Sequence, residues 1–217
     1  MKQNKTLSHG LENIKKRFEE NNRLERAEQI KAFVQKMQDE GIADVALKPD
    51  DIAPDFTLKN ATGKEFNLYK RLANGPVILT WYRGGWCPYC NLTLNYLQQY
   101  LNEFKSYGTQ LIAISPEKPD QSLSTMEKNG LEFEVLTDEI NEVAEKYAGV
   151  HSLPKEIHEF YAERGVGEYY KDYKTIEFPI PATYIIDRDG IIRFAFAEAD
   201  YRKRAEPVEI LESLKRL

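Results

Sequence analysis

The sequence has little cysteine and no long apolar run. Only two of its 217 residues are cysteine, Cys87 and Cys90, and the net charge is −5. No apolar stretch approaches the roughly 18–20 residues that a membrane span needs, and the polar N-terminus has no signal-peptide core. There is no basic patch of the kind that nucleic-acid binders carry. We therefore expect a globular cytoplasmic protein that binds neither nucleic acid nor membrane.

The scarcity of cysteine also argues against a metal site. A structural zinc ion needs four ligands, and the only further candidates are the scattered His9, His151 and His158. In a reducing cytosol, a close cysteine pair is more often catalytic than a permanent disulfide. We expect redox chemistry at the cysteines, with no metal and no cofactor.

Buried strands that alternate with helices predict an α/β fold. The strands are predicted at PVILTWY (76–82), QLIAIS (110–115) and FEVLT (133–137), and a hairpin at 182–196. Helices are predicted over 88–107, 121–128, 140–149 and 205–217, and one over 155–163 inside an irregular insertion at 150–180. The pattern favours a mixed central sheet flanked by helices.

Residues 1–44 differ from the rest because their apolar spacing is helical throughout. Two helices are predicted between Leu7 and Ile42, divided near Asn21. We predict an N-terminal helical extension (1–44) and a main domain (45–217). The extension is expected to lie on the main domain, and a dimer-forming arm is the alternative.

The heptapeptide GGWCPYC (84–90) carries both cysteines at a spacing of three. On a helix this spacing brings the two sulfurs within bonding reach. Cys87 follows a strand and a Gly-Gly turn, and Pro88 suits the first helical position. A helix N-terminus stabilises a thiolate, and Arg83 lowers its pKa further. Cys87 is therefore predicted to attack, and the less exposed Cys90 to resolve the mixed disulfide.

Pro181 stands just before a buried strand, where an ordinary strand excludes proline. This position predicts a special backbone, and we expect a cis Ile180–Pro181 bond. A plain proline at the start of a strand is the alternative.

Four segments in order resemble the peroxiredoxin-like family, also called alkyl hydroperoxide reductase and thiol-specific antioxidant. They are KPDDIAPDFTL (48–58), the strand–WCPYC–helix unit, the proline before ATYIID and the DRDG hairpin. The resemblance covers roughly residues 45–217. It implies the thioredoxin-like three-layer α/β/α sandwich, here with an N-terminal helical extension.

The resemblance also implies a comparison of site residues. The peroxidatic cysteine of the family falls on Cys90, its threonine on Cys87, its proline on Arg83 and its arginine on Pro181. Three of the four expected residues are thus missing, and the Cys-x-x-Cys that replaces them is similar to thioredoxin-type reductases. Their buried acid is absent too, because Trp81 occupies its position, so proton transfer to Cys90 lacks an obvious base.

Our leading hypothesis is a cytosolic thiol–disulfide oxidoreductase with an antioxidant role, in which Cys87 is the nucleophile and Cys90 the resolving thiol. Pro181 would hold an extended substrate, and Ile180 would offer it backbone hydrogen bonds. Three aromatic residues would form an apolar rim. The predicted substrate-binding residues are therefore Trp81, Arg83, Trp86, Tyr89, Ile180 and Pro181.

Two alternatives stay open. One is a thioredoxin- or glutathione-dependent peroxidase that reduces hydroperoxides, with Cys90 in the peroxidatic position. The other is a redox-responsive binding protein. The expected partners are a disulfide-bearing protein, or a small thiol or peroxide, and a thioredoxin- or glutathione-type reductant. A homodimer is compatible with either enzyme.

Overall fold

The computed structural model describes residues 6–21, 24–172 and 177–217. Its helices are α1 (Leu7–Asn21), α2 (Leu24–Asp39), α3 (Leu68–Leu72), α4 (Pro88–Gln99), α5 (Leu101–Ser106), α6 (Pro119–Asn129), α7 (Glu142–Tyr147), α8 (Lys155–Ala162) and α9 (Pro207–Leu214). Within these residues, no helix has the length and apolarity needed to cross a membrane.

The strands are β1 (Thr57–Asn60), β2 (Glu65–Asn67), β3 (Val77–Trp81), β4 (Gln110–Ser115), β5 (Glu134–Thr137), β6 (Val150–His151), β7 (Phe178–Pro179), β8 (Ala182–Ile186) and β9 (Ile192–Ala197). One sheet has the order β2-β1-β5-β4-β3-β8-β9, and β6 pairs with β7 separately. The central strands β3, β4 and β5 are parallel, whereas the outer strands pair antiparallel. The predicted mixed sheet is confirmed.

The two faces of the sheet are covered by different helices. Side chains of β3 point alternately to the two faces, so they belong to two different apolar clusters. Ile78 belongs to the apolar cluster shared with α1, α2, α4, α8 and α9, together with Tyr82, which follows β3. Leu79 and Trp81 belong to the cluster on the other face, which includes α3 and α7. Successive strand residues point to opposite faces. The result is the expected three-layer α/β/α sandwich.

The N-terminal helices pack into the same cluster as the cysteine-bearing helix. Leu7 and Leu11 of α1 are buried there. The start of α1 is fixed by the Glu206 carboxylate, which accepts the backbone N–H of Leu7 (3.1 Å) and of Ser8 (2.7 Å). The division of the chain into two domains at residue 44 stays a prediction.

Two local predictions are wrong. The helix predicted over 88–107 is divided at Tyr100, whose backbone (φ −96°, ψ 2°) separates α4 from α5. No peptide bond in the described residues is cis, so Ile180–Pro181 is trans. The trans form is the intrinsically favoured one, and the chain is extended there: the Ile180 N–H donates to the Gly149 carbonyl at 3.1 Å. Pro181 directly precedes β8, as the alternative had it.

Candidate active site

Both cysteines lie at the carboxyl end of β3, where α4 begins. Cys87 is the N-cap residue of α4 and Pro88 is its first residue, as the sequence predicts. Both thiols are free, and both residues have 0% exposure. The expectation that Cys90 is the less exposed of the two is therefore wrong. Tyr161 of α8 and Tyr201 pack in the same cluster and close the site from outside.

Cys87 is in contact with a buried cation. An Nη2–H of Arg83 donates to Cys87 Sγ at 3.1 Å. The Cys87 side chain accepts no hydrogen bond from the helix backbone. Burial by itself would raise the pKa of the Cys87 thiol, but the hydrogen bond from Cys90 and the charges of Arg83 and Arg204 hold that pKa well below its ordinary value. Cys87 is therefore the more acidic thiol of the pair.

The pKa of Cys90 is shifted in the direction opposite to that of Cys87. Burial and the adjacent Cys87 thiolate raise the pKa of Cys90 well above its ordinary value, which Arg204 and Arg83 only partly offset. An Nη2–H of Arg204 donates to Cys90 Sγ at 3.5 Å. The two sulfurs therefore differ in acidity, and each accepts a contact from one arginine, Cys87 from Arg83 and Cys90 from Arg204.

Arg83 is itself buried among aromatic rings. It is 1% exposed, and its guanidinium carbon lies 3.8 Å from the ring centre of Tyr201 and 4.9 Å from that of Trp86. Cation–π contacts of this kind stabilise a desolvated guanidinium. Within the described residues, the Nε and Nη1 atoms of Arg83 have no hydrogen-bond partner. Two buried donors thus remain available.

A buried carboxylate supports the loop before α4. Glu117, just beyond β4, accepts the Gly85 N–H at 2.6 Å and the Tyr82 hydroxyl at 2.8 Å, and the Thr125 hydroxyl lies 3.5 Å away. Burial raises the pKa of Glu117 to about 7, although its hydrogen bonds with Gly85, Tyr82 and Thr125 oppose this rise. Glu117 is thus a buried acid held against the loop that leads to the cysteines, at a position different from the strand position that Trp81 occupies.

A cavity of about 280 Å³ opens at the start of α4, where Arg83 and Pro88 line it and neither cysteine does. Trp86 and Tyr89 line it together with Arg83, and their role in substrate binding stays a prediction. Trp81 does not line it: it packs on Tyr147 at 5.0 Å on the opposite face of the sheet, because its strand position points away from the cysteines.

The structure also bears on Ile180 and Pro181, the two residues predicted to hold an extended substrate. The Ile180 N–H is already bonded to the Gly149 carbonyl, and its side chain packs on the face opposite the cysteines. Ile180 therefore has no free N–H for a substrate. The Pro181 carbonyl accepts the Glu198 N–H at 3.4 Å. A substrate role for Pro181 stays a prediction.

The sequence of the chain is similar to those of known proteins. The family model described as AhpC/TSA matches residues 49–195. The chain belongs to the AhpC/TSA family. It is 30% identical over 151 residues to peroxiredoxin Bcp of Escherichia coli, covering 69% of this chain and 85% of that one. A relative from Buchnera aphidicola is 34% identical over 101 residues, which is 63% of its own length.

Solved structures agree on the fold of this AhpC/TSA chain. Peroxidoxin BcpB of Mycobacterium tuberculosis has a TM-score of 0.61 at 20% identity, covering 79% of this chain and 98% of that one. A peroxiredoxin-like protein of Aquifex aeolicus has a TM-score of 0.59 at 14% identity, covering 79% and 88%. The fold is thioredoxin-like, and the chain is a thiol-dependent oxidoreductase, as expected from the resemblance.

Sequence reasoning about this AhpC/TSA chain missed two of the charged residues beside the thiols. Glu117 could have been found, because it follows β4, and the carboxyl ends of neighbouring parallel strands lie at one edge of the sheet. Arg204 carries no such signal. It lies in an irregular segment between β9 and α9, whose path no periodicity predicts.

Proposed function

We propose that this chain is a thiol-dependent peroxidase that reduces hydroperoxides through an internal Cys87–Cys90 disulfide. The observation that carries the proposal is the Cys87 thiolate 3.1 Å from Arg83 with the Cys90 thiol one helical turn away. The peroxiredoxin relatives support this activity better than the disulfide reductase that the sequence alone put first.

The first half of the reaction consumes the peroxide. The Cys87 thiolate attacks one peroxide oxygen and forms an S–O bond while the O–O bond breaks, and the leaving alkoxide takes a proton from the Cys90 thiol. Arg83 is placed to stabilise the negative charge that moves from sulfur to oxygen. The products are a Cys87 sulfenic acid, an alcohol and a Cys90 thiolate.

The second half forms the disulfide. The Cys90 thiolate attacks Cys87 Sγ and displaces hydroxide, which leaves as water with one further proton. A Glu117 carboxyl with a pKa of about 7 holds such a proton near neutral pH. In sum, one thiolate, one thiol, one hydroperoxide and one proton give the disulfide, an alcohol and water. A thioredoxin- or glutathione-type thiol then restores the dithiol, which suits a reducing compartment such as the cytosol.

This order makes Cys87 the peroxidatic thiol, although the resemblance to the family implies Cys90 in that position. The lowered pKa of the Cys87 thiol beside Arg83, after opposition from burial, supports the assignment, since the thiolate is the nucleophile. The raised pKa of Cys90 fits a resolving thiol.

Stopped-flow oxidation by hydroperoxide tests the proposal on the wild type, Cys87→Ser and Cys90→Ser. Wild type is expected to react much faster than a free thiol and to form a disulfide. Cys90→Ser should react once and retain a sulfenic acid that dimedone labels, whereas Cys87→Ser should lose the fast reaction. A fast reaction in Cys87→Ser would move the peroxidatic role to Cys90. A wild-type rate no higher than that of a free thiol, together with rapid insulin reduction, would return the chain to the reductases.

A further inference from the structure

The cavity beside Cys87 has the charge and the size of a site for a small anion. Its volume is about 280 Å³, which is close to the lower end of the range of ligand pockets, roughly 300–1,000 Å³. Aromatic side chains form most of the wall: Phe18, Trp86, Tyr89, Phe160, Tyr161 and Tyr201. Arg83 and Arg164 also line it, and no acidic side chain is among the described residues that do.

Arg83, which lines the cavity, has N–H donors that make no hydrogen bond within the described residues. Arg83 is 1% exposed, yet its Nε and Nη1 have no partner within the described residues. An unpaired buried donor is costly, and a buried cation more so. Arg83 is therefore prepared for an acceptor that enters the cavity. Arg164, whose guanidinium lies 3.5 Å from the ring centre of Phe160, is exposed and stands nearer solvent.

The charge that faces Arg83 changes with the redox state. In the dithiol form, the Cys87 thiolate at 3.1 Å balances Arg83 and repels any second anion. Formation of the Cys87–Cys90 disulfide removes that negative charge. Among the described residues no carboxylate forms an ion pair with Arg83, so the oxidised site contains a buried cation without a counter-charge.

We propose that the cavity binds a small carboxylate-bearing thiol, the reductant of the disulfide, with its anionic group on Arg83 and Arg164. This inference rests on the proposed function. Redox state selects the ligand: an anion is favoured after oxidation, which is when a reductant must bind, and disfavoured when a hydroperoxide must bind. Both cysteines are fully buried, and neither lines the cavity. Arg83 does line it and contacts Cys87 Sγ at 3.1 Å, so a small thiol held on Arg83 is brought next to the disulfide, whereas a protein thiol does not fit into the cavity.

The chemistry balances with two equivalents of the thiol. The first attacks Cys87 Sγ as a thiolate and breaks the disulfide, and Cys90 leaves beside Arg204 and takes up a proton. The second attacks the ligand sulfur of the mixed disulfide, and the Cys87 thiolate leaves beside Arg83. Two thiols become one small disulfide, and the protein disulfide becomes the dithiol.

Binding of S-methylglutathione, an anion that cannot exchange, tests the proposal without any peroxide. We expect isothermal titration of the full chain to show at least tenfold tighter binding to the diamide-oxidised form than to the dithiol, or about 1.4 kcal/mol. Cys87→Ser, which removes the thiolate charge without making a disulfide, should bind like the oxidised protein. Arg164→Gln should weaken binding roughly two- to fivefold, and the matched control Arg188→Gln, at an exposed turn away from the cavity, should leave it unchanged.

Equal affinity in both redox states, or tighter binding to the dithiol form, overturns the proposal. A kinetic arm compares reduction of the disulfide by glutathione, by the cationic thiol cysteamine at equal thiolate concentration, and by thioredoxin. Glutathione is expected to be the fastest of the three, and a faster reaction with thioredoxin contradicts the inference. Peroxide oxidation is measured separately, so a failure here leaves the proposed function standing.

Discussion

Glu117 is predicted to make the stability of the protein fall as pH rises through neutrality. Burial raises the pKa of its carboxyl from 4.5 to about 7 in the folded chain. A raised folded-state pKa means that the neutral acid is favoured by the fold. Its contribution to stability is fully present below about pH 4.5 and is lost as pH rises through about 7. This rise in the pKa of Glu117 corresponds to about 3 kcal/mol of unfolding free energy. About 2.5 kcal/mol of it is lost between pH 5 and pH 8.

The substitution Glu117→Gln isolates this effect. Glutamine keeps an acceptor for the Gly85 N–H and stays neutral at every pH, so it should not show the decline. The difference in unfolding free energy, wild type minus variant, is expected to drop by about 2.5 kcal/mol from pH 5 to pH 8. Titrating groups that do not interact with Glu117 are common to both chains and cancel.

Urea unfolding at pH 5, 6, 7 and 8 measures this difference under reducing conditions. With a slope of roughly 2–3 kcal/mol/M, the two midpoints should move about 1 M relative to each other. Glu145→Gln, at an exposed position on α7, is the matched control and should run parallel to wild type. If the unfolding free energies of Glu117→Gln and wild type changed with pH in parallel, the claim that burial favours the neutral form of this carboxyl would be refuted.

Two further predictions concern the surroundings of the cysteines. Gly85→Ala should lower the free energy of unfolding by roughly 1–3 kcal/mol through overpacking, because an added Cβ lies 2.0 Å from Thr125 Oγ1. A second substitution, Thr125→Ala, should restore much of that stability in urea unfolding. A double variant that is as destabilised as Gly85→Ala would contradict the steric explanation. Glu206→Ala should lower the free energy of unfolding by about 1 kcal/mol, since the first two N–H groups of α1 lose their acceptor. Amide hydrogen exchange should become faster first at the start of α1. Unchanged protection of these amides would argue against the contact.

The parts of the fold that the sequence predicts are those governed by local rules. The buried aliphatic runs of β3 and β4 are long enough to identify, and the placement of Cys87 before α4 follows from Pro88 and the preceding Gly-Gly pair. Trp81 was assigned wrongly although the rule that separates it from its neighbour is simple. Adjacent residues of a strand face opposite sides of the sheet, so Trp81 and Tyr82 cannot both lie beside the cysteines.

What the sequence does not predict depends on distant segments meeting at one place. Cys87 is buried because Tyr161, from the 150–180 insertion, and Tyr201, after β9, pack in its cluster. Arg204 reaches Cys90 from 114 residues away. Neither the insertion nor the segment after β9 has a periodicity that fixes its path, so the burial of the thiols and the second cation emerge only in three dimensions.

The two arginines explain why a site without the family's expected residues is still suited to thiol chemistry. The resemblance implies one arginine at position 181, where this chain has proline, but Arg83 and Arg204 each contact one sulfur. A pair of buried cations is costly with no anion between them and is stabilised by one thiolate. Reduction of the disulfide therefore supplies the charge that the buried arginines lack. This coupling should favour the dithiol, and replacing Arg83 with methionine should raise both the pKa of Cys87 and the tendency of the pair to remain oxidised.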